Sequence, residues 1–142
     1  DWVILAAEFK FKRANPYELQ KTSREIIKTR EKKYWPGLLC PGSFFKNIVI
    51  NNVRLVSLRR QFLKKINKAK INHDKVPTGY LLEEVGAKGM RIGGIRVVGH
   101  HGNLIYNSGK GKSSEIAKLA KILKQKVKNK FGISLEEEIQ YI

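Results

Sequence analysis

The chain has 142 residues, a length that fits one domain and can bury a core without disulfides or a metal. Its hydrophobic fraction of 42% is too high for a disordered protein, and its single cysteine, Cys40, excludes an internal disulfide framework and a multi-cysteine metal site. The net charge of +17 favours anionic partners such as phosphorylated metabolites or nucleic acid, but the charge is spread along the chain and does not choose between them.

The N-terminal segment predicts a strand rather than an export signal. Residues 2–11 alternate in part between apolar and polar side chains, which is typical of a strand. No basic region precedes them, as it would in a signal peptide, and no apolar run reaches the roughly 20 residues that span a bilayer. With the lone cysteine, these features predict a cytoplasmic protein. Because the chain starts at Asp1 inside the strand pattern, we expect it to be a fragment of a longer protein.

A helix is predicted next. Asn15 can cap it, Pro16 suits its first position, and Glu18 can complete a capping box. Its apolar residues recur at helical spacing and predict a buried face. These residues are Leu19, Ile26 and Ile27.

The middle of the chain predicts short elements. Residues 44–50 are apolar and β-branched, as in a strand, and the basic residues 59–70 are predicted to be partly helical. Around this basic segment, one apolar face would comprise Leu55, Leu58, Phe62 and Ile66. Pro77 opens a shorter helix over 80–85 that stops at Gly86.

The C-terminal third predicts two strands, the longest helix and a last strand. The strands cover 95–98 and 103–106, and the last one covers 136–142. Ser113 can cap the long helix and Gly132 ends it. Its buried stripe would comprise Ile116, Leu119, Ala120, Leu123 and Val127. Because helices and strands are interspersed, the sequence predicts the α+β class, with a mixed sheet packed with helices.

Four stretches carry the most specific pattern. They are residues 42–47 (GSFFKN), 75–83 (KVPTGYLLE) with its continuation 86–94 (GAKGMRIGG), 101–107 (HGNLIYN) and 130–138 (KFGISLEEE). In this order and spacing they resemble the C-terminal, substrate-binding domain of the UDP-N-acetylenolpyruvoylglucosamine reductase (MurB) family. Residues 1–12 would then be the last strand of a preceding FAD-binding domain, and residues 13–142 the substrate-binding domain.

The resemblance implies an oxidoreductase of peptidoglycan precursor synthesis. NADPH would reduce FAD, and a hydride would then pass to the enolpyruvyl double bond of a UDP-sugar, giving UDP-N-acetylmuramate. Hydride addition leaves negative charge on the substrate, so the reaction needs a proton donor and a stabilising group. The resemblance implies Ser43 as the donor and Glu138 as the second catalytic residue. The implied substrate-binding residues are Lys46, Asn47, Lys75 and His101, and no metal is implied.

The residues alone leave simpler explanations open. Ser43 could be a turn serine, and Glu138 could be one of three exposed glutamates in a row. The chain also departs from the family, which usually has proline where Ile48 and Glu137 stand, and residues 49–74 are longer and more basic than expected. The sequence holds no flavin-binding segment, so we expect the chain alone to bind no FAD and to be inactive.

Two other functions stay open at this point. A basic nucleic-acid-binding module would use residues 59–70 and the lysine-rich long helix, although aromatic residues are not interleaved with the basic ones as in stacking platforms. A non-catalytic domain would bind UDP-sugars only, against which Ser43 and Glu138 argue. The favoured partners are a UDP-sugar substrate and an upstream FAD-binding domain, with nucleic acid disfavoured and no membrane.

Overall fold

The described residues form two compact units. A computed structural model describes residues 3–53 and 56–141. The units are Asp1–Pro36 and Gly37–Ile142. No helix in the described part is long and apolar enough to cross a membrane.

The first unit contains one helix, α1 (Pro16–Glu31). Asn15 caps it as predicted, because its side-chain oxygen accepts a hydrogen bond from the Tyr17 N–H at 2.9 Å. The predicted burial is wrong, since α1 buries none of its residues. Leu19, Ile26 and Ile27 are between 50% and 58% exposed.

The predicted strand over 2–11 is also wrong for the residues that the structure describes there. Residues 3–11 form no strand. A strand needs a neighbour to take its main-chain hydrogen bonds, and the described residues of the first unit contain no second strand.

The described residues of the second unit form two small antiparallel sheets and three α-helices. One sheet pairs β1 (Ile48–Val49) with β2 (Lys75–Val76), and the other has the order β3 (Arg91–Ile92), β4 (Ile95–Val97), β5 (Ile105–Asn107). The helices are α2 (Val56–Lys65), α3 (Thr78–Glu84) and α4 (Ser113–Phe131). Two short 3-10 helices cover Ile50–Asn52 and Lys68–Lys70.

This architecture confirms the α+β class. The strand direction differs from the predicted mixed sheet, because each described pairing is antiparallel. Strands β3, β4 and β5 follow one another through connections too short for the crossover that a parallel pair needs.

Helix α4 supplies the main apolar stripe of the core, as its sequence predicts. The stripe recurs at helical spacing, with Ile116 half-buried and Leu119, Ala120, Leu123 and Val127 buried. From α2, Phe62 packs edge-on against Phe131 with ring centroids 6.3 Å apart. Ile66 is buried beside them, Leu58 is half-buried, and Leu55 lies outside the described residues.

The ends of α4 are set by a carboxylate and a glycine. Ser113 is the first helical residue rather than the predicted cap. Glu115 takes the capping role, because its carboxylate accepts the Lys112 N–H at 3.0 Å and the Gly94 N–H at 3.2 Å. These two hydrogen bonds hold the pKa of Glu115 below its usual value. Gly132 ends the helix as predicted, with a left-handed φ of 78°.

Candidate active site

A cavity of about 560 Å³ opens between two parts of the second unit that are distant in sequence. It brings together three of the six predicted site residues, Ser43, Asn47 and Glu138. Its other lining residues are Pro41, Phe45, Ile139 and Gln140. The wall therefore combines a hydroxyl, two amides and a carboxylate with apolar surface.

Two extended segments, residues 42–47 and 136–140, build this wall. One antiparallel bridge joins them, between Phe45 and Glu137. Next to this bridge, the Glu138 N–H donates a hydrogen bond to the Phe44 carbonyl at 2.9 Å. Because side chains alternate along extended backbone, every second residue of the first segment lines the cavity, whereas three consecutive residues of the other segment, 138–140, line it.

The strand predicted over 44–50 is shorter than expected, and the strand predicted over 136–142 is not formed in the described residues 136–141. The first is reduced to β1 (Ile48–Val49), and residues 136–141 contain the single bridge and no strand. A buried side-chain amide, that of Asn103, occupies the Phe45 backbone groups that a neighbouring strand would otherwise take. Residue 142 lies outside the described part.

Ser43 follows a sharp turn at Gly42. Gly42 has a φ of 101°, a backbone conformation that residues other than glycine rarely adopt. Nothing lies within 4 Å of the position that a Cβ would take. The glycine is thus needed for backbone conformation and not for space. After the turn, Ser43 pairs with Leu104 in an isolated bridge, and its side chain is exposed to the cavity.

Asn47 lines the cavity and also fixes its edge to α3. Its side-chain oxygen accepts the Thr78 N–H at 3.2 Å. The buried Thr78 hydroxyl donates to the carbonyl of Lys46 at 2.5 Å. This pair of bonds joins the end of the 42–47 segment to the first turn of α3.

Lys46 lies on the other side of its segment and does not line the cavity of Ser43. It forms an ion pair with Glu136, and both side chains are exposed. The two residues line a separate cavity of about 780 Å³. The backbone alternation that turns Ser43 inward directs Lys46 away from it.

Lys75 and His101 do not line the Ser43 cavity either, but both flank the start of α3. Lys75 is exposed on β2, two residues before Pro77. The His101 ring lies against Gly79, where a Cβ would come within 2.9 Å of Cε1. His101 Nδ1 accepts the Asn103 N–H at 3.1 Å, which orients the ring.

Glu83 attaches the His101 turn to α3. Its carboxylate accepts the Gly102 N–H at 3.2 Å and pairs with Lys88 at 2.8 Å. Burial raises the pKa of Glu83, but these two hydrogen bonds and the charges of Lys88 and His101 outweigh burial and hold the pKa below its usual value.

The neighbouring carboxylates Glu137 and Glu138 face different surroundings. Glu137 pairs with Lys124 of α4 at 2.5 Å, and its side chain is only 18% exposed. Burial, a hydrogen bond to Glu137 and the charge of that carboxylate raise the pKa of Tyr141 to about 12. Glu138 is exposed and lines the cavity. The structure thus separates the two side chains as the alternation in the sequence predicts.

The cavity suits the reacting part of a substrate rather than a diphosphate. Among the residues that the structure describes, its walls hold groups that can give or accept protons and hydrogen bonds, but no Lys, Arg or His side chain that would pair with the diphosphate of FAD or NADPH. No group of three or more metal-ligating side chains occurs within residues 3–53 and 56–141.

Sequence reasoning gave no role to two residues of this region. Gln140 lines the cavity, and its position two residues after Glu138 on an extended segment is a signal that could have identified it. Asn103 is buried and holds the Ser43 segment through its side chain. Nothing in the local sequence indicates that contact, because its partner is Phe45.

Comparisons with known proteins agree on one family. The sequence model described as the C-terminal domain of UDP-N-acetylenolpyruvoylglucosamine reductase matches residues 37–142, which is the range of the second unit. The enzyme of that name from Solibacter usitatus is 42% identical over 142 residues, covering 100% of this chain and 44% of the relative.

More distant relatives carry the same name. The protein from Pseudoalteromonas translucida is 33% identical over 126 residues, covering 87% of this chain and 38% of the relative. The one from Pseudothermotoga lettingae is 29% identical over 139 residues, covering 98% and 40%. The chain therefore spans less than half the length of these curated relatives. With the match over residues 37–142, it belongs to the family of UDP-N-acetylenolpyruvoylglucosamine reductase C-terminal domains.

Proposed function

We propose that this chain is the substrate-binding part of a UDP-N-acetylenolpyruvoylglucosamine reductase, a cytoplasmic enzyme of peptidoglycan precursor synthesis. The observation that carries the proposal is the cavity in which Ser43 and Glu138 meet, in a chain of this family. These are the two residues whose chemistry the reaction needs.

The role of Ser43 is to complete the reduction with a proton. When bound, a flavin that NADPH has reduced would supply the hydride to one carbon of the enolpyruvyl double bond. The other carbon then carries negative charge and is basic enough to take the proton of a positioned hydroxyl. Ser43 is exposed to the cavity, so it can give this proton and regain one from solvent.

The role of Glu138 is to hydrogen-bond the substrate where charge develops. A donor placed at that point stabilises the intermediate more than the substrate itself. Glu138 is exposed to the cavity, where a bound substrate can reach its carboxyl group.

Four residues would bind the remainder of the substrate: Lys46, Asn47, Lys75 and His101. Three of them meet at the start of α3, since Asn47 bonds Thr78, Lys75 precedes Pro77, and His101 lies on Gly79. Lys46 and Lys75 are exposed cations that suit a diphosphate. Lys46 would exchange its pairing with Glu136 for the substrate, which costs little for an exposed ion pair.

The remaining parts of the proposal are FAD, NADPH and an upstream FAD-binding domain that includes residues 1–12. The chain covers only 44% of the Solibacter usitatus relative, which supports a further domain in the whole protein. The apolar surface of the N-terminal arm also supports it, because contiguous exposed apolar side chains mark interaction sites. The side chains concerned are Val3, Ile4, Leu5, Phe9 and Phe11, all at least 73% exposed.

The proposed function is tested by joining this chain to the N-terminal part of the Solibacter usitatus relative. The joined protein should bind flavin and oxidise NADPH in a manner that depends on UDP-N-acetylglucosamine enolpyruvate. A flavin-loaded protein that NADPH reduces but this substrate never reoxidises would contradict the proposal. The chain alone should bind no flavin, and a stoichiometric flavin spectrum in the purified chain would contradict the assignment of FAD to another domain.

The substrate site can be tested in the chain itself by NMR titration with UDP-N-acetylglucosamine. Resonance shifts should concentrate in residues 43–47, 75–80 and 100–102, which surround the cavity and the start of α3. Shifts confined to residues 59–70 would instead favour binding of a polyanion by the basic segment.

A further inference from the structure

We infer that Asn103 is a positioning residue for Ser43. Its buried side-chain amide holds the backbone of Phe45, two residues after Ser43, and thereby sets where the serine hydroxyl stands in the cavity. The inference rests on the proposed function, because it concerns the proton donor of that reaction.

The amide of Asn103 binds both backbone groups of Phe45. Its oxygen accepts the Phe45 N–H at 2.9 Å, and its nitrogen donates to the Phe45 carbonyl at 2.8 Å. A primary amide carries one acceptor and two donors, so it can replace a neighbouring strand at one residue. Asn103 is 2% exposed, and water therefore does not compete for these bonds.

The backbone of the same turn extends this contact to Ser43. The Asn103 carbonyl accepts the Phe44 N–H at 3.0 Å, and the next residue, Leu104, bridges to Ser43. Three consecutive residues, from Ser43 to Phe45, are thus held by Asn103 and its neighbour.

On its other side, the segment is held by the Glu138 N–H bond to the Phe44 carbonyl and by the Phe45–Glu137 bridge. Gly42 precedes it with a φ of 101°, and the segment has isolated bridges where a sheet would have a continuous ladder. The rings of Phe44 and Phe45 are both 1% exposed and anchor the segment in the core. Packing fixes its depth, but the direction of the Ser43 side chain depends on backbone orientation, which directional hydrogen bonds control.

Asn103 also connects the donor to a predicted substrate contact. Its N–H donates to His101 Nδ1 at 3.1 Å. One turn therefore orients the His101 ring through its backbone and the Ser43 segment through its side chain.

Asn107 offers a matched control. Its side chain makes three hydrogen bonds to backbone, compared with two for Asn103, by accepting the N–H groups of Gly109 and Gly111 at 2.9 and 2.8 Å and donating to the Gly111 carbonyl at 3.0 Å. These bonds hold the loop before α4 and do not reach the Ser43 segment.

The first test compares Asn103→Ala with Asn107→Ala in the joined flavin-loaded enzyme. A displacement of about 1 Å can cost on the order of 10²-fold in rate, so Asn103→Ala should slow reoxidation by substrate about 10- to 100-fold and leave reduction by NADPH unchanged. Asn107→Ala should change neither step. If Asn103→Ala is reoxidised at the wild-type rate while Ser43→Ala is reoxidised much more slowly, the inference is overturned and the proposed function stands. Wild-type reoxidation in Ser43→Ala would instead contradict the proposed function.

A second variant, Asn103→Asp, gives a readout that a purely structural role would not move. The neutral carboxyl that it introduces can accept the Phe45 N–H and donate to the Phe45 carbonyl, as the amide does, whereas the ionised form cannot donate. The ratio of variant to wild-type reoxidation rate should therefore fall as pH rises. A ratio near one at every pH would overturn the inference.

Hydrogen exchange in the chain itself supplies a test without flavin or substrate. Loss of the Asn103 amide should speed exchange of the Phe45 N–H roughly five- to tenfold, as expected for one lost hydrogen bond. Asn107→Ala should leave that exchange rate unchanged. Equal exchange at Phe45 in Asn103→Ala and the wild type would overturn the inference.

Discussion

The two sides of the C-terminal segment, residues 136–141, differ in the contacts that their carboxylates make. On the side of α4, Glu137 pairs with Lys124 and hydrogen-bonds Tyr141. On the cavity side, Glu138 is exposed next to the Ser43 segment. Adjacent residues of the same type thus face opposite environments, so we expect one to serve stability and the other chemistry.

The strongest test of the cavity side is Ser43→Ala in the joined enzyme. Loss of a positioned acid costs about 10² to 10⁴ in rate, and the loss should fall on reoxidation by substrate while reduction by NADPH stays nearly normal. Rapid-mixing absorbance of the flavin separates the two steps. The melting temperature should stay near the wild-type value, because the Ser43 side chain is exposed. A loss confined to the Michaelis constant would mean that Ser43 only binds substrate.

Glu138→Gln should have the next largest effect. Removal of one group that stabilises a developing anion costs roughly 10²- to 10³-fold, and here the loss should again be confined to reoxidation by substrate. Stopped-flow traces with and without substrate measure it. Equal rates in the variant and the wild type would remove Glu138 from the chemistry.

Glu137→Gln is the matched change on the α4 side. It should leave both flavin steps within about twofold of wild type and lower the free energy of unfolding by about 1 kcal/mol or less, because it removes one ion pair with a partly exposed lysine. Urea unfolding of the chain measures the stability change. A kinetic loss as large as that of Glu138→Gln would show that the two sides do not divide their roles.

The smallest expected effect is a pH dependence at Tyr141. Its pKa in the folded chain is about 12, above the ordinary value of 10.0. The raised pKa means that the neutral phenol stabilises the fold fully below pH 10, and that this contribution is lost as pH rises toward 12. Stability should therefore decline less steeply over this window in Tyr141→Phe than in the wild type. Identical slopes would mean that burial and Glu137 do not raise the pKa of Tyr141.

The sequence predicted those features that local pattern determines. The apolar stripe of α4, the Asn15 cap and the alternation of Glu137 and Glu138 each follow from spacing within a few residues. The apolar spacing along α1 is also a local pattern, and it correctly indicated a helix. Such a pattern does not specify what covers the apolar face, which is exposed in the described chain.

The site was predicted less completely because its assembly is long-range. Ser43 and Glu138 were identified only through resemblance to a family, and Lys46, a predicted substrate-binding residue, lies outside their cavity. The role of Asn103 depends on a contact with Phe45, 58 positions away, which no local pattern records.

The single bridge between Phe45 and Glu137 has a consequence for folding and for activity under stress. It closes a loop that contains nearly the whole second unit, and closing so long a loop costs chain entropy before any contact compensates for it. The cavity should therefore assemble only after α4 has docked, and the C-terminal residues should detach first when the fold is weakened. In mild denaturant, the cavity wall would then come apart while the core of Phe62, Leu123 and Phe131 is still intact.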